Sequence, residues 1–285
     1  MPELETANTT TESAAKGRYF VRFTREQRYM HAVLFTTFLG LAATGLVMRF
    51  SESFWARKFA AGVGGFGAIL FFHKLCAIVL TIAFLIHVKE VFQRGLFRRE
   101  KGIFWGSTSM VANWKDVKDL FNHMRWFLGL GPKPQFERYA YWEKFDYWAV
   151  FWGMIIIGFS GYAMWFAPFF AHFLPGWALN AVLIIHSEEG LLAILFIFAI
   201  HFVNTHLRPD SFPMDMVIFT GVESEDEFKH KRPLEYQRML SEGKAESRLG
   251  IAPPLWLLNF SKVVGSIAIF IGLTLLVLTL TAYFH

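Results

Sequence analysis

Four histidines in two long apolar segments are the side chains of this sequence best suited to chemistry. One segment, HKLCAIVLTIAFLIH, begins at His73 and ends at His87, and the other, HSEEGLLAILFIFAIH, begins at His186 and ends at His201. Ionisable residues are rare inside membrane-spanning segments and mark functional sites where they occur. Because imidazole binds transition-metal ions well, these four histidines are candidate metal ligands.

The spacing of the histidines predicts two levels of paired ligands. His73 and His87 are 14 positions apart, and His186 and His201 are 15 positions apart. In a helix, 14 positions return to within about 40° of the same face and rise about 21 Å, while 15 positions give about 60° and about 22 Å. If both helices run in the same direction, His73 meets His186 at one level and His87 meets His201 at the other. A bis-histidine haem needs two such ligands, whereas zinc normally takes three or four neighbouring ones.

Five apolar segments are long enough to hold these histidines inside a membrane. A helix of about 20 apolar residues spans the hydrocarbon core, and such segments lie at about 30–48, 66–88, 147–170, 178–203 and 263–284. The chain is 54% hydrophobic and 18% charged, which is too apolar for a soluble domain. We therefore predict an all-α integral membrane protein with a four-helix haem-binding bundle and a fifth transmembrane helix. The single cysteine, Cys76, excludes a disulfide framework, and the absence of a CxxCH motif excludes covalently attached haem.

The distribution of basic residues predicts the orientation of the chain. Lys and Arg number five in 16–28, eleven in 89–144 and seven in 208–248, against three in 49–66 and none in 168–178. Because basic residues accumulate on the cytoplasmic side, we expect a multi-pass protein of the bacterial inner membrane with its N-terminus cytoplasmic and its C-terminus periplasmic. His73 and His186 then form the outer level, and His87 and His201 the inner level. Anionic lipid headgroups account for the net charge of +5, so no nucleic-acid partner is needed.

The chain divides into four predicted parts. They are a cytoplasmic polar tail at 1–28, a di-haem core at 29–206, a charged cytoplasmic loop at 207–254 and the fifth transmembrane helix at 255–285. Within the core, segment 104–130 has apolar residues at helical spacing with charges between them. This pattern predicts an interfacial amphipathic helix in contact with membrane lipid on the inner surface. His123 in that segment is predicted to be an interfacial residue rather than a ligand.

An internal similarity relates the first and third apolar segments. ATGLVMRF, at 43–50, matches FSGYAMWF, at 159–166, and each is followed by a segment with two spaced histidines. The match pairs Thr44-Gly45 with Ser160-Gly161. A small residue before glycine permits close approach of another helix or of a flat cofactor. Two interpretations stay open, a duplicated pair of helical hairpins and a chance similarity between apolar segments.

Several segments also resemble known membrane cytochromes b. The paired histidine spacing resembles the cytochrome b of bc-type quinol complexes, and RFTREQRYMHAVLFTTFLGLAATG, at 22–45, resembles the cytochrome b subunits of formate dehydrogenases and nickel–iron hydrogenases. ERYAYWEKFDYWAVFWG, IHSEEGLLAILFIFAIHF and HLRPDSFPMDMVIFTG resemble bacterial cytochromes b that are associated with periplasmic multihaem cytochromes c. The resemblance covers 18–221 and leaves the fifth helix outside it. It implies non-covalent haem b and a cytochrome c partner.

The resemblances disagree about the inner haem. In the formate dehydrogenase pattern His31 of the first helix pairs with His201, and His87 is not needed. His206 adds one more histidine on the inner side, so that six histidines would suffice for three haems instead of two. Alternatively, His31 or His206 contacts haem propionates or a quinone. We prefer His87 with His201 as the inner pair.

The ends of the bundle offer candidate quinone and proton sites. Glu188 and Glu189 follow the outer ligand and would accept protons from a quinol, or else bond a neighbouring helix or face the outer rim. Arg49, at the outer end of the first helix, would pair with a haem propionate or with headgroups. His31 and His206 would relay protons at the inner end, where we place the quinone.

The predicted function is that of a membrane b-type cytochrome subunit. It would transfer electrons between the quinone pool and a redox partner, a periplasmic multihaem cytochrome c, within a larger redox complex. The alternatives are a haem-binding membrane anchor of a dehydrogenase or hydrogenase and a non-catalytic haem sensor. A transporter would need broken helices and a polar midplane site, neither of which the sequence indicates.

Overall fold

The computed structural model describes residues 17–209 and 211–284, and these form two compact units. The helical unit comprises 29–93, 146–209, 211–215 and 263–284, and the polar unit comprises 17–28, 94–145 and 216–262. The first sixteen residues of the tail predicted at 1–28 lie outside the described residues.

Within the described residues, five helices are long and apolar enough to cross a membrane. They are α1 (Arg25–Arg49), α2 (Phe66–Phe97), α3 (Tyr141–Trp165), α4 (Gly176–Leu207) and α5 (Leu255–Phe284). Large apolar side chains such as Phe71, Ile155 and Phe270 are more than half exposed on these helices. Apolar side chains exposed in such numbers indicate contact with lipid. The number, length and composition of these helices confirm the prediction of a helical, multi-pass membrane protein.

Three of the spanning helices contain π-helical turns. These turns are Gln93–Phe97 in α2, Met154–Gly158 in α3, and Phe196–His201 and Val203–Leu207 in α4. A π-helical turn inserts a residue into the helix and disturbs the regular pairing of backbone groups, and such turns occur frequently at functional sites. Hydropathy alone does not predict them.

The core of the helical unit lies between α1, α4 and α5. Its buried residues are Ala42, Leu46, Leu191, Ile194, Phe198, Phe202 and Leu275. Gly272 of α5 permits this contact, because a Cβ atom there would lie 2.6 Å from the Phe202 ring. Helix α5 therefore packs against α4 at Phe202, the residue that follows the candidate ligand His201.

The connection between α1 and α2 also contains a helix, Phe54–Val63, which lies between two of the predicted apolar segments. Ser53 caps its first turn by accepting from the Ala56 backbone amide, and Gly64 ends it with a φ of 108°. Its residues Ala56 and Ala60 are buried against Val47 and Ile69. Ten residues are too short for a distinctive helical pattern of apolar residues.

The polar unit contains a small antiparallel sheet that the sequence did not predict. Its strands β1 (Tyr19–Val21), β2 (Val222–Ser224) and β3 (Leu249–Gly250) are arranged in the order β2-β1-β3. Strands of two or three residues carry no detectable alternation. The helices Glu225–Lys231 and Pro233–Ser241 follow β2, so the loop predicted at 207–254 is largely ordered structure.

Strand β2 of this sheet contributes the carboxylate of a buried ion pair in the polar unit. Glu223 is fully buried, and its Oε2 accepts a hydrogen bond of 2.6 Å from Arg232. Lys231 lies 3.5 Å from the other carboxylate oxygen. Removal of one partner from such a group leaves an uncompensated buried charge.

The amphipathic helix predicted at 104–130 is shorter, Trp114–Phe127, and begins at a capping box formed by Asn113 and Asp116. Asp116 and Asp119 are buried, and Asp116 accepts from Lys144 at 2.8 Å. The apolar face is exposed instead, with Trp114, Val117, Leu120, Phe121, Met124 and Phe127 all accessible. An exposed apolar face on a cationic helix is typical of a helix that lies on a membrane.

His123 on this helix is buried, whereas the sequence indicated an interfacial residue. Its side chain is 4% exposed, its Nδ1 lies 3.1 Å from the Tyr141 hydroxyl, and its ring stacks on Phe127. The reason is that the helix turns its polar residues inward, towards the rest of the polar unit.

Candidate metal centre

The structure brings His73 of α2 and His186 of α4 into direct contact. Their ring centroids are 6.2 Å apart, and the ring planes are inclined at 75°. Both side chains are half-buried between the helices. This is the outer pair that the residue spacing predicted.

Groups from the two other helices hold one nitrogen of each ring. The Thr44 hydroxyl lies 2.9 Å from Nδ1 of His73. The Ile157 carbonyl lies 2.9 Å, and the Ser160 hydroxyl 3.2 Å, from Nδ1 of His186. A carbonyl oxygen only accepts, so Nδ1 of His186 carries the proton and Nε2 keeps its lone pair for a metal.

The two glycines of the internal similarity lie against the two histidines. A Cβ atom at Gly161 would lie 2.9 Å from Cε1 of His186, and one at Gly45 would lie 3.5 Å from Cε1 of His73. Thr44 and Gly45 of α1 thus lie against His73 in the same way as Ser160 and Gly161 of α3 lie against His186. This equivalence favours the interpretation of two related hairpins.

The separation of the two outer imidazoles suits a pair of residues that would hold one haem iron between them. A metal–imidazole bond of about 2 Å, plus about 1 Å from the nitrogen to the ring centre, places two axial rings roughly 6 Å apart. The observed separation of 6.2 Å agrees with this distance. Rotation about the metal–nitrogen bonds leaves the inclination of the two rings free. In the described part of the chain there is no group of three or more His, Cys, Asp or Glu that could hold a metal ion.

His201 of α4 is held by a carboxylate. Its Nδ1 lies 2.9 Å from Oδ2 of Asp146 on α3. His31 of α1 lies in the neighbourhood of His201 and His206. His206 is itself half-buried, and its Nδ1 finds no hydrogen-bond partner among the described residues. The structure therefore brings His31, His201 and His206 to one end of the helical unit.

His87 of α2 has different neighbours. Its Nε2 lies 2.9 Å from the hydroxyl of Tyr147, and its ring contacts Phe151. The described residues show no ring contact between His87 and His201. The described residues show no ring contact between His31 and His201 either, so both pairings stay predictions. The contact of the Tyr147 hydroxyl with Nε2 of His87 is the one observation that favours His31 as the partner of His201.

The candidate groups at the outer end bond neighbouring helices. Arg49 of α1 donates to Glu188 at 2.9 Å and to the Tyr283 hydroxyl of α5 at 2.8 Å, and it also contacts Ser187. Glu189 accepts from Nε1 of Trp152 at 3.3 Å. Of the interpretations open for these carboxylates, bonding to a neighbouring helix is realised for both.

Sequence reasoning missed three residues of the site, namely Asp146, Ile157 and Tyr283. Asp146 carried only a weak signal, because it directly precedes the span predicted at 147–170 and was not counted inside it. The role of Ile157 rests on its backbone carbonyl, which no side-chain pattern indicates. Tyr283 lies near the end of a helix for which no role was expected.

No protein-family model matches this chain, and no curated protein matches it.

Proposed function

We propose that this protein is a membrane b-type cytochrome subunit that carries electrons between the quinone pool and a redox partner. A periplasmic multihaem cytochrome c is the partner that the resemblance favours. The observation that carries the proposal is the contact of His73 with His186 at 6.2 Å, with both Nδ1 atoms already bonded. Haem b, when bound, supplies reversible one-electron chemistry.

The residues of the helical unit would divide this work between two levels. His73 and His186 would hold the outer haem, while Thr44 and Ser160 fix the orientation of their rings. At the inner level His201 would be one ligand and His31 the other, with His87 as the alternative. The apolar helices around both levels exclude water, which keeps the electron path in a medium of low dielectric constant.

The ends of the helical unit would serve the quinone and the partner. His31 and His206 are imidazoles at the inner end, where they would accept or release the protons of a quinol. At the outer end, Glu189 is the alternative group for accepting the protons of a quinol. Arg49 would bind a haem propionate or, through its ion pair with Glu188, link helices α1 and α4 to each other. The chain would lie in the bacterial inner membrane with its N-terminus cytoplasmic. This orientation is supported by the grouping of the basic segments. The segment before α1, the amphipathic helix and most of the charged loop all belong to the polar unit.

Haem analysis of the purified protein tests the proposal. We expect haem that acid–acetone extracts, with a pyridine haemochrome of the b type, at two per chain, or three if the additional histidines bind another. His73→Ala and His186→Ala should each remove the same haem. His172→Ala is the matched control, because His172 is exposed and bonds only its own turn. A protein that carries no haem, or that keeps its full content in both variants, contradicts the proposal.

Reduction by a quinol analogue in liposomes tests the electron-transfer role. We expect quinol to reduce the haems, with dithionite giving the complete extent of reduction. If dithionite reduces them and no quinol does, the quinone role fails and a haem sensor or membrane anchor is the better description. Glu189→Gln and His206→Ala then distinguish an outer quinone site from an inner one.

A further inference from the structure

We propose that Asp146 is a positioning residue that makes His201 a more strongly electron-donating haem ligand than His73 or His186. As a result the inner haem has a more negative midpoint potential than the outer haem. This inference rests on the proposed haem function and assigns a direction to the electron path. His201 is a ligand in both candidate pairings of the inner level, so the inference does not depend on whether its partner is His31 or His87.

The hydrogen bond between Asp146 and His201 has a defined donor and acceptor. Oδ2 of Asp146 lies 2.9 Å from Nδ1 of His201, and the two side chains are 14% and 23% exposed. A carboxylate only accepts hydrogen bonds, so the imidazole donates from Nδ1 and presents Nε2 to the metal. The hydrogen bond therefore selects the ligating nitrogen and fixes the plane of the ring.

The carboxylate concentrates its charge on this one imidazole. Oδ1 of Asp146 is buried, and none of the described residues donates a hydrogen bond to it. Away from bulk water a charged hydrogen bond is stronger than the same bond at a surface. A carboxylate bonded to a ligating imidazole raises the basicity of the ligand. Greater donation to iron favours the oxidised state, which lowers the reduction potential.

Among the described residues, no carboxylate bonds to either of the outer candidate ligands. His73 bonds the neutral hydroxyl of Thr44, and His186 bonds the neutral Ile157 carbonyl and Ser160 hydroxyl. The nearby carboxylate of Glu188 is paired with Arg49, so its charge is compensated. Two haems with the same ligand type would thus differ because one level has an anionic hydrogen-bond acceptor and the other has only neutral ones.

The difference favours electron movement from the inner level to the outer level. In that step the inner haem is oxidised by one electron and the outer haem is reduced by one electron, with no change in bonding. With the N-terminus in the cytoplasm, this direction leads towards the periplasm. It is also the direction in which a membrane potential that is negative inside drives an electron.

The test is a potentiometric titration that isolates the inner haem. His73→Ala, which removes the outer haem, serves as the background, and Asp146→Asn is introduced into it. Asparagine keeps the size and the accepting oxygen but removes the charge. We expect the midpoint potential of the remaining haem to move to a more positive value. Asp146→Glu should restore it, and Asp226→Asn, an exposed acidic position in the polar unit, should leave it in place.

The same variants in the otherwise unchanged protein complete the test. Asp146→Asn should narrow the gap between the two midpoints while the outer midpoint stays constant. An unchanged inner midpoint at full haem content, or a shift of the outer midpoint instead, overturns the inference. If Asp146→Asn fails to load haem, Asp146→Glu must load it at the original potential, and failure of that variant also overturns the inference. A protein without haem at all refutes the proposed function rather than the role of Asp146.

Discussion

The Thr44 hydroxyl of α1 lies 2.9 Å from Nδ1 of His73 on α2. Thr44 directs its own proton to the Gly40 carbonyl, 2.6 Å away, so its oxygen accepts the proton of the imidazole. The ring is thereby fixed in the tautomer whose Nε2 is available to a metal. Ser160 of α3 lies beside His186 of α4 in the same way.

We predict that Thr44→Val weakens haem binding at the outer level. Valine keeps the volume of threonine but cannot accept from Nδ1, and loss of a partner behind a ligand typically costs about 10-fold or more in affinity. The rate of haem loss in detergent measures the effect, and Thr44→Ser should restore slow loss. Thr36→Val is the matched control, since Thr36 is exposed on the same helix. Equal rates for Thr44→Val and Thr36→Val would refute the prediction.

The two glycines provide a graded pair of variants. Gly161→Ala should disturb the outer site strongly, because its Cβ would lie 2.9 Å from Cε1 of His186. Gly45→Ala should be milder, because the corresponding distance to His73 is 3.5 Å, an ordinary van der Waals contact. Haem content and the low-spin spectrum measure both. A larger effect at Gly45 would show that the two hairpins are not equivalent as described.

The ligands of the inner level can be identified by single substitutions. We predict that His31→Ala and His201→Ala each remove the inner low-spin haem signal, while His87→Ala keeps it. The reason is that Nε2 of His87 is bonded to Tyr147, whereas His31 lies close to His201. Electron paramagnetic resonance of oxidised protein measures the signal. If His87→Ala removes it and His31→Ala does not, the pairing first expected from the sequence is the correct one.

The orientation of the chain can be tested with introduced cysteines. In intact cells, Asn122→Cys on the amphipathic helix and Glu242→Cys in the charged loop should resist an impermeant thiol reagent. Ala171→Cys, in the connection between α3 and α4, should react readily. All three positions are exposed, so accessibility to the reagent depends on the side of the membrane. The unaltered protein, with Cys76 only, gives the background, and the reverse labelling pattern would exchange the two haem levels.

A buried and an exposed ion pair of the polar unit should differ in their effect on stability. Glu223→Gln removes the buried carboxylate that is paired with Arg232, a loss of roughly 3–5 kcal/mol that the second contact of Arg232, with Glu143, reduces. Glu246→Gln removes an exposed partner of Arg18, and such pairs are worth about 1 kcal/mol or less. Thermal unfolding in detergent compares the two variants. Similar melting temperatures would mean that the Glu223 pair is dispensable.

The spanning helices and the outer histidine pair were predictable from sequence. Hydropathy is a property of one segment by itself, so five helices appear without any knowledge of their neighbours. The 14-residue and 15-residue spacings then place His73 and His186 at one level in two helices of the same direction. Helix limits were less accurate: α4 is Gly176–Leu207 where 178–203 was expected, because polar residues extend the helix beyond its apolar centre.

The short strands and the polarity of the amphipathic helix needed the fold. β1 pairs with residues about two hundred positions away, and no local pattern in three residues specifies such partners. The helix Trp114–Phe127 has the predicted period, but only its surroundings show that Asp116 and His123 are buried while its apolar face is exposed.

The sequence by itself determined which histidines are candidate ligands and how far apart they lie along each helix, since residue type and spacing along one helix suffice for both. Only the tertiary structure decided what lies behind each ligand. Thr44 supports His73, and Asp146, 55 positions away in the chain, supports His201. Such contacts depend on the rotation of each helix about its axis, which packing between helices sets and which hydropathy, nearly uniform around these helices, does not record.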